Sequence, residues 1–221
     1  MGNIVFKIDL QQDFFTNGSV DIPNNESILE NLKLFSYFCE KLNIKTINTI
    51  RWFKEDSDFF SELPDYNKTY PKHCIKDTKG ARFINEVAPK QYFLLNWDGG
   101  NLVFPEIHNN NNIVVTKKNI DVFEGNPYFE SLIHNLGVPM MERPSYIVYG
   151  IDVGSTVLGL LRRGYKVTVI KDITINSNGQ FFKKEDIITP KVSPDPDIKP
   201  KDSVDLEFIT SSKFIDLWKT A

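Results

Sequence analysis

Apolar runs, polar loops and amphipathic stripes alternate along most of this chain. NIVFKIDL, residues 3 to 10, is a β-branched apolar run that predicts a buried strand, and QQDFFTNGSVDIPN after it is a polar loop in which Asn17 and Gly18 supply a turn. From residue 27 to 42 apolar side chains recur at 28, 29, 32, 35, 38, 39 and 42, the stripe of an amphipathic helix, with Asn25 or Ser27 as candidate cap. IKTINTIRWF predicts a second strand. The stretch from 54 to 90 is aromatic and broken by Pro64, Pro71 and Pro89, so it is expected to cross the strand ends as loops. Short strands are expected near YFLLNW and NLVF, with WDGGN as the turn between them, and a firmer strand at NNIVVTKK. The Asn run from 109 to 112 reads as a surface loop, and YFESLIHNL as a short helix.

YIVYGIDVGSTVLGLLRRGYKVTVIKD, residues 146 to 172, then reads as strand, tight turn, helix and strand. After Ile175 the pattern dissolves. Pro190, Pro194, Pro196 and Pro200 exclude a regular helix or a central strand, which predicts an extended arm at about 176–204 over the surface or a neighbouring subunit. DLEFITSSKFIDLW supplies a last strand and helix, capped by Ser211 or Ser212. Strands alternating with helices predict one α/β domain over 1–221, a mainly parallel doubly wound sheet with helices on both faces and ligands at its carboxyl edge.

Composition narrows the function. A chain of 221 residues, 41% hydrophobic and 25% charged, can bury a sizeable core, and a net charge of −3 offers no positive field for a nucleic-acid backbone. The N-terminus enters a strand-like run without a charged leader, and no apolar stretch is long enough for a membrane span, so a cytoplasmic protein is expected. Cys39 and Cys74 form neither a CxxC site nor a disulfide framework and are expected to be buried free thiols.

Three positions carry candidate chemistry. Asp9 closes an apolar strand, where a carboxylate is costly unless paired or used; it is a candidate general acid or base, or else a loop cap. Lys117 closes another strand, where its ammonium could steady an anion, or else be a solvated surface lysine. Thr156 stands at the turn that opens a helix, where backbone N–H groups face a developing anion; it is a candidate catalytic residue, or else a helix cap. Three strand ends of one parallel sheet can converge.

At these residues the sequence resembles the isochorismatase-like hydrolases, the cysteine hydrolases that include nicotinamidases. IDLQQDF looks like the family's D-x-Q-x-D-F at Asp9, Gln11, Asp13 and Phe14. YPKHCIKDTKGARF looks like W-P-x-H-C-x-x-G-T-x-G-A-x-F, with Pro71, His73, Cys74, Thr78, Gly80, Ala81 and Phe83 in register. KKNIDVFEGNP is similar to the segment that brings the family's lysine, and GIDVGSTV lies without a gap on G-x-A-T-D-x-C-V. The matches run from residue 4 to about 175 and together are specific for the fold.

The resemblance implies a triad of aspartate, lysine and cysteine, carried over as Asp9 and Lys117 with Thr156 at the cysteine's place. An alkanol ionises several pH units above a thiol, so Thr156 needs a stronger base than a cysteine would. Asp13, Phe14, Asp152 and Ser155 are the candidate substrate-binding residues. The family's nicotinamidases hold a metal through T-R-D-W-H and the histidine of P-x-H-C; here Arg51 and Phe53 take the first two ligand places and only His73 remains, so no metal and no cofactor are expected. Asp152 stands close to where an oxyanion would form and needs a partner, with Arg51 and Lys117 as candidates.

Three functions fit. One is hydrolysis without a covalent intermediate, as in the family's true isochorismatases, which keep the aspartate and lysine, lack the cysteine and cleave a vinyl ether. A second is a threonine-nucleophile amidase. The third is a catalytically silent member that binds a small ligand or a protein partner through the cleft. A small-molecule substrate and a homo-oligomer are expected by resemblance.

Overall fold

Runs such as NIVFKI and NIVVTK are buried along nearly their whole length, which a parallel strand covered by helices on both faces requires. The computed structural model describes residues 3–65, 68–99, 104–137, 144–188 and 205–220. Their strands are β1 (Asn3–Ile8), β2 (Thr46–Arg51), β3 (Phe93–Leu95), β4 (Asn112–Lys117), β5 (Ser145–Ile151), β6 (Lys166–Ile175) and β7 (Leu206–Ile209). They form one seven-stranded sheet in the order β3-β4-β2-β1-β5-β6-β7, every neighbouring pair parallel. From β1 the chain winds outward through β2 on one side and returns to β5 on the other. The switch point therefore lies between the carboxyl ends of β1 and β5, where a crevice opens in such sheets.

Helices α1 (Glu26–Lys41), α2 (Phe104–Asn109), α3 (Val122–Gly125), α4 (Phe129–Gly137), α5 (Gly154–Arg162), α6 (Glu185–Ile188) and α7 (Ser211–Thr220) complete the fold. Two apolar layers flank the sheet. One gathers Phe6, Phe129, Tyr146, Val157 and Leu160, the other Leu32, Phe35, Tyr149 and Phe214. Edge-to-face ring pairs knit each layer, Phe6 with Phe129 at 5.7 Å and Phe35 with Tyr149 at 5.2 Å. The expected α1 stripe is buried at Ile28, Leu32, Phe35 and Cys39, whereas Leu42 falls just past the last turn and is exposed.

Several expectations need correction. Of the strand expected at NLVF, residues 101–103 lie outside the described residues, and Phe104 begins α2 instead. The one-turn helices α3 and α6 went unpredicted because four residues are too short to show a period. The last helix is capped by Thr210, whose hydroxyl accepts from the Lys213 N–H at 3.2 Å, rather than by Ser211 or Ser212; Ser211 instead donates its N–H and hydroxyl to Asp172. Asn25 precedes α1 but uses its amide to donate to the Phe14 carbonyl and the Asp21 carboxylate. Of the arm expected at about 176–204, residues 189–204 lie outside the described residues. Its first part is packed, not extended: residues 176–179 form a turn, Phe181 bridges back to Ile175, and Phe182 is buried in the core.

β6 runs well past the predicted VTVI. Its pairing with β5 shifts between Val148 and Gly150, so Gly150 stands opposite Thr174. Gly150 has φ +123, and a Cβ there would lie 2.1 Å from the Ile8 carbonyl oxygen, so only glycine lets β5 close on β1 at this point. No helix among the described residues is long and apolar enough to cross a membrane.

Candidate active site

The carboxyl ends of β4, β2, β1 and β5 are consecutive in the sheet, and each delivers a charged residue at its last position or just beyond it: Lys117, Arg51, Asp9 and Asp152. Asp9 and Asp152 leave their strands in the left-handed region, at φ +52 and +51, a conformation that aspartate tolerates better than most residues. The four form one chain of charges. Lys117 Nζ lies 2.9 Å from Asp9 Oδ2, Arg51 Nε donates to the same oxygen at 2.8 Å, and an Arg51 terminal nitrogen reaches Asp152 Oδ2 at 2.7 Å. Thr49 donates its hydroxyl to Asp9 Oδ1 at 2.9 Å. Both oxygens of a carboxylate that is 0% exposed are thus engaged, by two cations and a hydroxyl.

The surroundings fix this arrangement. The Gln11 amide donates to the carbonyls of Arg51 and Ala81 and accepts the Arg51 N–H, locking β2 to the loop after β1. The Phe14 ring packs against the Arg51 guanidinium, 4.7 Å from ring centre to carbon. Asp13 accepts the Cys74 N–H at 2.6 Å and the Ser19 N–H at 3.2 Å, and its carboxyl lies so close to Gly80 that a Cβ there would sit 2.1 Å away. The D-x-Q-x-D-F segment and the P-x-H-C segment are therefore one interlocked unit. Ser177 donates its N–H to Asp152 Oδ1 at 2.7 Å, which ties the start of the former arm to the site.

Burial and charge set the ionisation. Burial pulls the Lys117 ammonium below the ordinary lysine range, with Asp9 opposing and Arg51 reinforcing the fall. Burial alone would lower the Arg51 guanidinium, but Asp9 and Asp152 outweigh it and hold the charge. Asp152 thus finds its partner in Arg51 rather than in Lys117.

Thr156 is 0% exposed in the first turn of α5. Among the described residues neither its hydroxyl nor that of Ser155 finds a hydrogen-bond partner, and no side chain caps this helix, so the expected capping role of Thr156 is not realised. The first helical bond runs from the Val157 N–H to the Val153 carbonyl, so the N–H groups of residues 154–156 precede the helical ladder.

His73 is ringed by Phe14, Phe53, Phe60 and Tyr70, with ring centres 5.3 to 6.2 Å away. Nδ1 lies 2.8 Å from the Pro71 carbonyl and donates to it, leaving Nε2 without a partner. Burial first, and Arg51 second, push its pKa down to about 4, so the ring is neutral. A metal does not fit these residues: Phe53 offers no donor atom, Arg51 brings a positive charge, and no group of three metal-ligating side chains exists among the described residues. Cys74 is buried with its thiol pushed well above the ordinary range, and Cys39 is likewise buried and free.

No protein-family model matches the chain. The nicotinamidase/pyrazinamidase of Mycobacterium tuberculosis is 30% identical over 77 residues, which span 34% of this chain and 40% of that enzyme. A crystal structure of the pyrazinamidase of Pyrococcus horikoshii in complex with zinc superposes with a TM-score of 0.65 at 16% identity, over 95% of this chain and 99% of that one. An isochorismatase-like hydrolase from Alkaliphilus metalliredigens gives the same TM-score of 0.65 and 16% identity over 99% of this chain and 100% of that one. The pyrazinamidase/nicotinamidase of Streptococcus mutans follows at 0.58 and 16%, covering 84% of this chain and 91% of that one. The chain has the α/β fold of these hydrolases, built on an all-parallel seven-stranded sheet.

Proposed function

We propose that the protein is a hydrolase of the isochorismatase-like type that cleaves a C–O or C–N bond of a small metabolite by direct attack of water. One observation carries this reading: the buried Asp9–Lys117 pair, 2.9 Å apart, stands at the sheet's switch point beside a helix whose first-turn hydroxyls have no partner. Asp9 and Lys117 share the proton that must reach the leaving group or an enol carbon and be regained from water. Lys117, drawn below the ordinary lysine range by burial, is the readier of the two cations to give a proton up. Thr156 and Ser155 offer hydroxyls to the water or the substrate, and the N–H groups of residues 154–156 face a developing oxyanion. Arg51, held by Asp9 and Asp152 and stacked on Phe14, supplies a fixed positive charge at the site. Asp13 acts by holding the Cys74 loop in place.

A second reading has its own support. Arg51 occupies the Asp9 oxygen that a proton acceptor would use, which suits a silent member that binds a ligand in the same cleft. The two readings separate in one assay of ammonia and pyruvate release from a panel of small amides and isochorismate. Wild-type turnover supports hydrolysis and names the bond class. A silent wild type whose Thr156→Cys variant gains amidase activity supports the ligand-binding reading, because the cleft would then be intact and lack only a nucleophile.

A further inference from the structure

A second buried lysine lies away from this site. In β1, Lys7 interrupts an otherwise apolar run, points into the layer beneath α1 and is 6% exposed. Its ammonium donates to the Val87 carbonyl at 2.9 Å. It borders a cavity of about 460 Å³ that lies under α1 and is bounded by loops leading into β2, β3 and β4. That volume falls within the range of roughly 300–1,000 Å³ found for small-molecule sites.

We propose that this cavity binds a small monocarboxylate, whose carboxylate pairs with the Lys7 ammonium while its apolar part lies against Ile44, Val87 and Pro89. A buried ammonium held by one neutral carbonyl lacks a countercharge, and a buried charge without one is costly. The carboxylates nearest the cavity do not supply it. Glu40 is committed to Lys90 at 2.8 Å and Glu86 to Lys33 at 3.5 Å, all four side chains being exposed. The remaining titratable groups facing the cavity are Cys39, whose thiol burial pushes up to about 12, Tyr149, whose hydroxyl is paired with Ser36 at 3.1 Å, and the exposed Tyr37. Burial pulls Lys7 down to about 8 against the weaker pull of Cys39 and Glu40, so it still carries its charge at neutral pH. A residue that breaks its strand's pattern at a cost in stability marks a site in use. Lys7 and the rim Lys90 are balanced by the rim carboxylates Glu40 and Glu86, so the lining selects a monoanion over a phosphate dianion, and the Asn43 and Asn112 amides can take a polar tail.

The test reads Lys7 in the intact wild-type chain by trace acetylation with acetic anhydride across pH 6 to 11 and peptide mass spectrometry. Benzoate and butyrate are the probes, with phosphate and chloride at matched ionic strength as controls. Saturating benzoate or butyrate should cut the acetylation of Lys7 at pH 8 at least fivefold and move its titration upward by a pH unit or more. Lys45 and the exposed lysines should be unaffected. The melting temperature should rise with benzoate in wild type and in Glu86→Gln but not in Lys7→Met. The proposal is overturned if Lys7 is not acetylated in the free protein, if carboxylates leave its reactivity unchanged, or if phosphate protects it equally. None of these readings depends on hydrolysis at Asp9.

Discussion

Lys117 and Lys7 are both buried in the same sheet, and burial draws both ammonium groups below the ordinary lysine range, yet they are held in opposite ways. Lys117 meets the Asp9 carboxylate at 2.9 Å and closes a network that continues through Arg51 to Asp152. Among the described residues Lys7 meets only a carbonyl and a cavity. The difference shows how one fold can tie a buried cation into an ion-pair network, or leave it dependent on something that binds. It also gives opposite signs for two similar substitutions.

Lys117→Met removes one cation from Asp9 and leaves a buried carboxylate with a single counterion, so the fold should lose about 3 kcal/mol in urea unfolding at pH 7. Lys7→Met removes a desolvated charge and keeps the apolar stem, so it should gain about 2 kcal/mol. Loss of stability in both variants, or in neither, would break the comparison.

His73 sharpens it with pH. Its folded pKa near 4 lies below the ordinary 6.5, so above pH 6.5 both states are neutral and nothing is lost. As the pH falls from 6.5 to 4 the unfolded chain binds a proton that the folded chain refuses, and stability drops by up to about 3 kcal/mol. His73→Phe should flatten that limb, measured by urea unfolding at stepped pH. Lys7 acts in the alkaline window by the same logic. Its folded pKa near 8 lies below the ordinary 10.5, so wild-type stability should rise between pH 8 and 10.5 relative to Lys7→Met. Thr156→Val is the smallest effect on the fold: a hydroxyl without a partner is removed, and stability should change by less than about 1 kcal/mol in either direction. Its effect on turnover should be larger, at least tenfold, if the hydroxyl orients water or substrate.

Much of this was legible in the sequence, for physical reasons that can be named. Asp9 and Lys117 each ended an apolar run, which marked them as candidates, but a loop cap and a solvated lysine explained the same positions until the parallel sheet brought them together at 2.9 Å. The doubly wound sheet followed from strand and helix periods alone. Arg51 was visible beside Lys117 as one of two candidate partners for Asp152, but its hold on Asp9 was not, because β1, β2 and β5 bring the three together from positions 42 and 101 residues apart. Lys7 passed as one polar letter in NIVFKIDL, since hydropathy cannot tell a lysine that reaches solvent from one that ends against Val87. The helix cap at Thr156 failed for a similar reason: a hydroxyl at a helix start has the right chemistry to cap, but Thr156 is the third helical residue, too far along to reach back.

The most direct test of the central claim is product release by wild type beside Asp9→Asn at pH 7, on the same amides and isochorismate, with near-ultraviolet circular dichroism confirming that the variant is folded. Asn keeps the shape of the side chain and removes its charge and its proton chemistry. Wild-type turnover that falls at least a hundredfold in folded Asp9→Asn is the result expected if Asp9 carries the proton. Equal turnover in the two proteins would contradict the account, and so would the absence of turnover on any of these substrates.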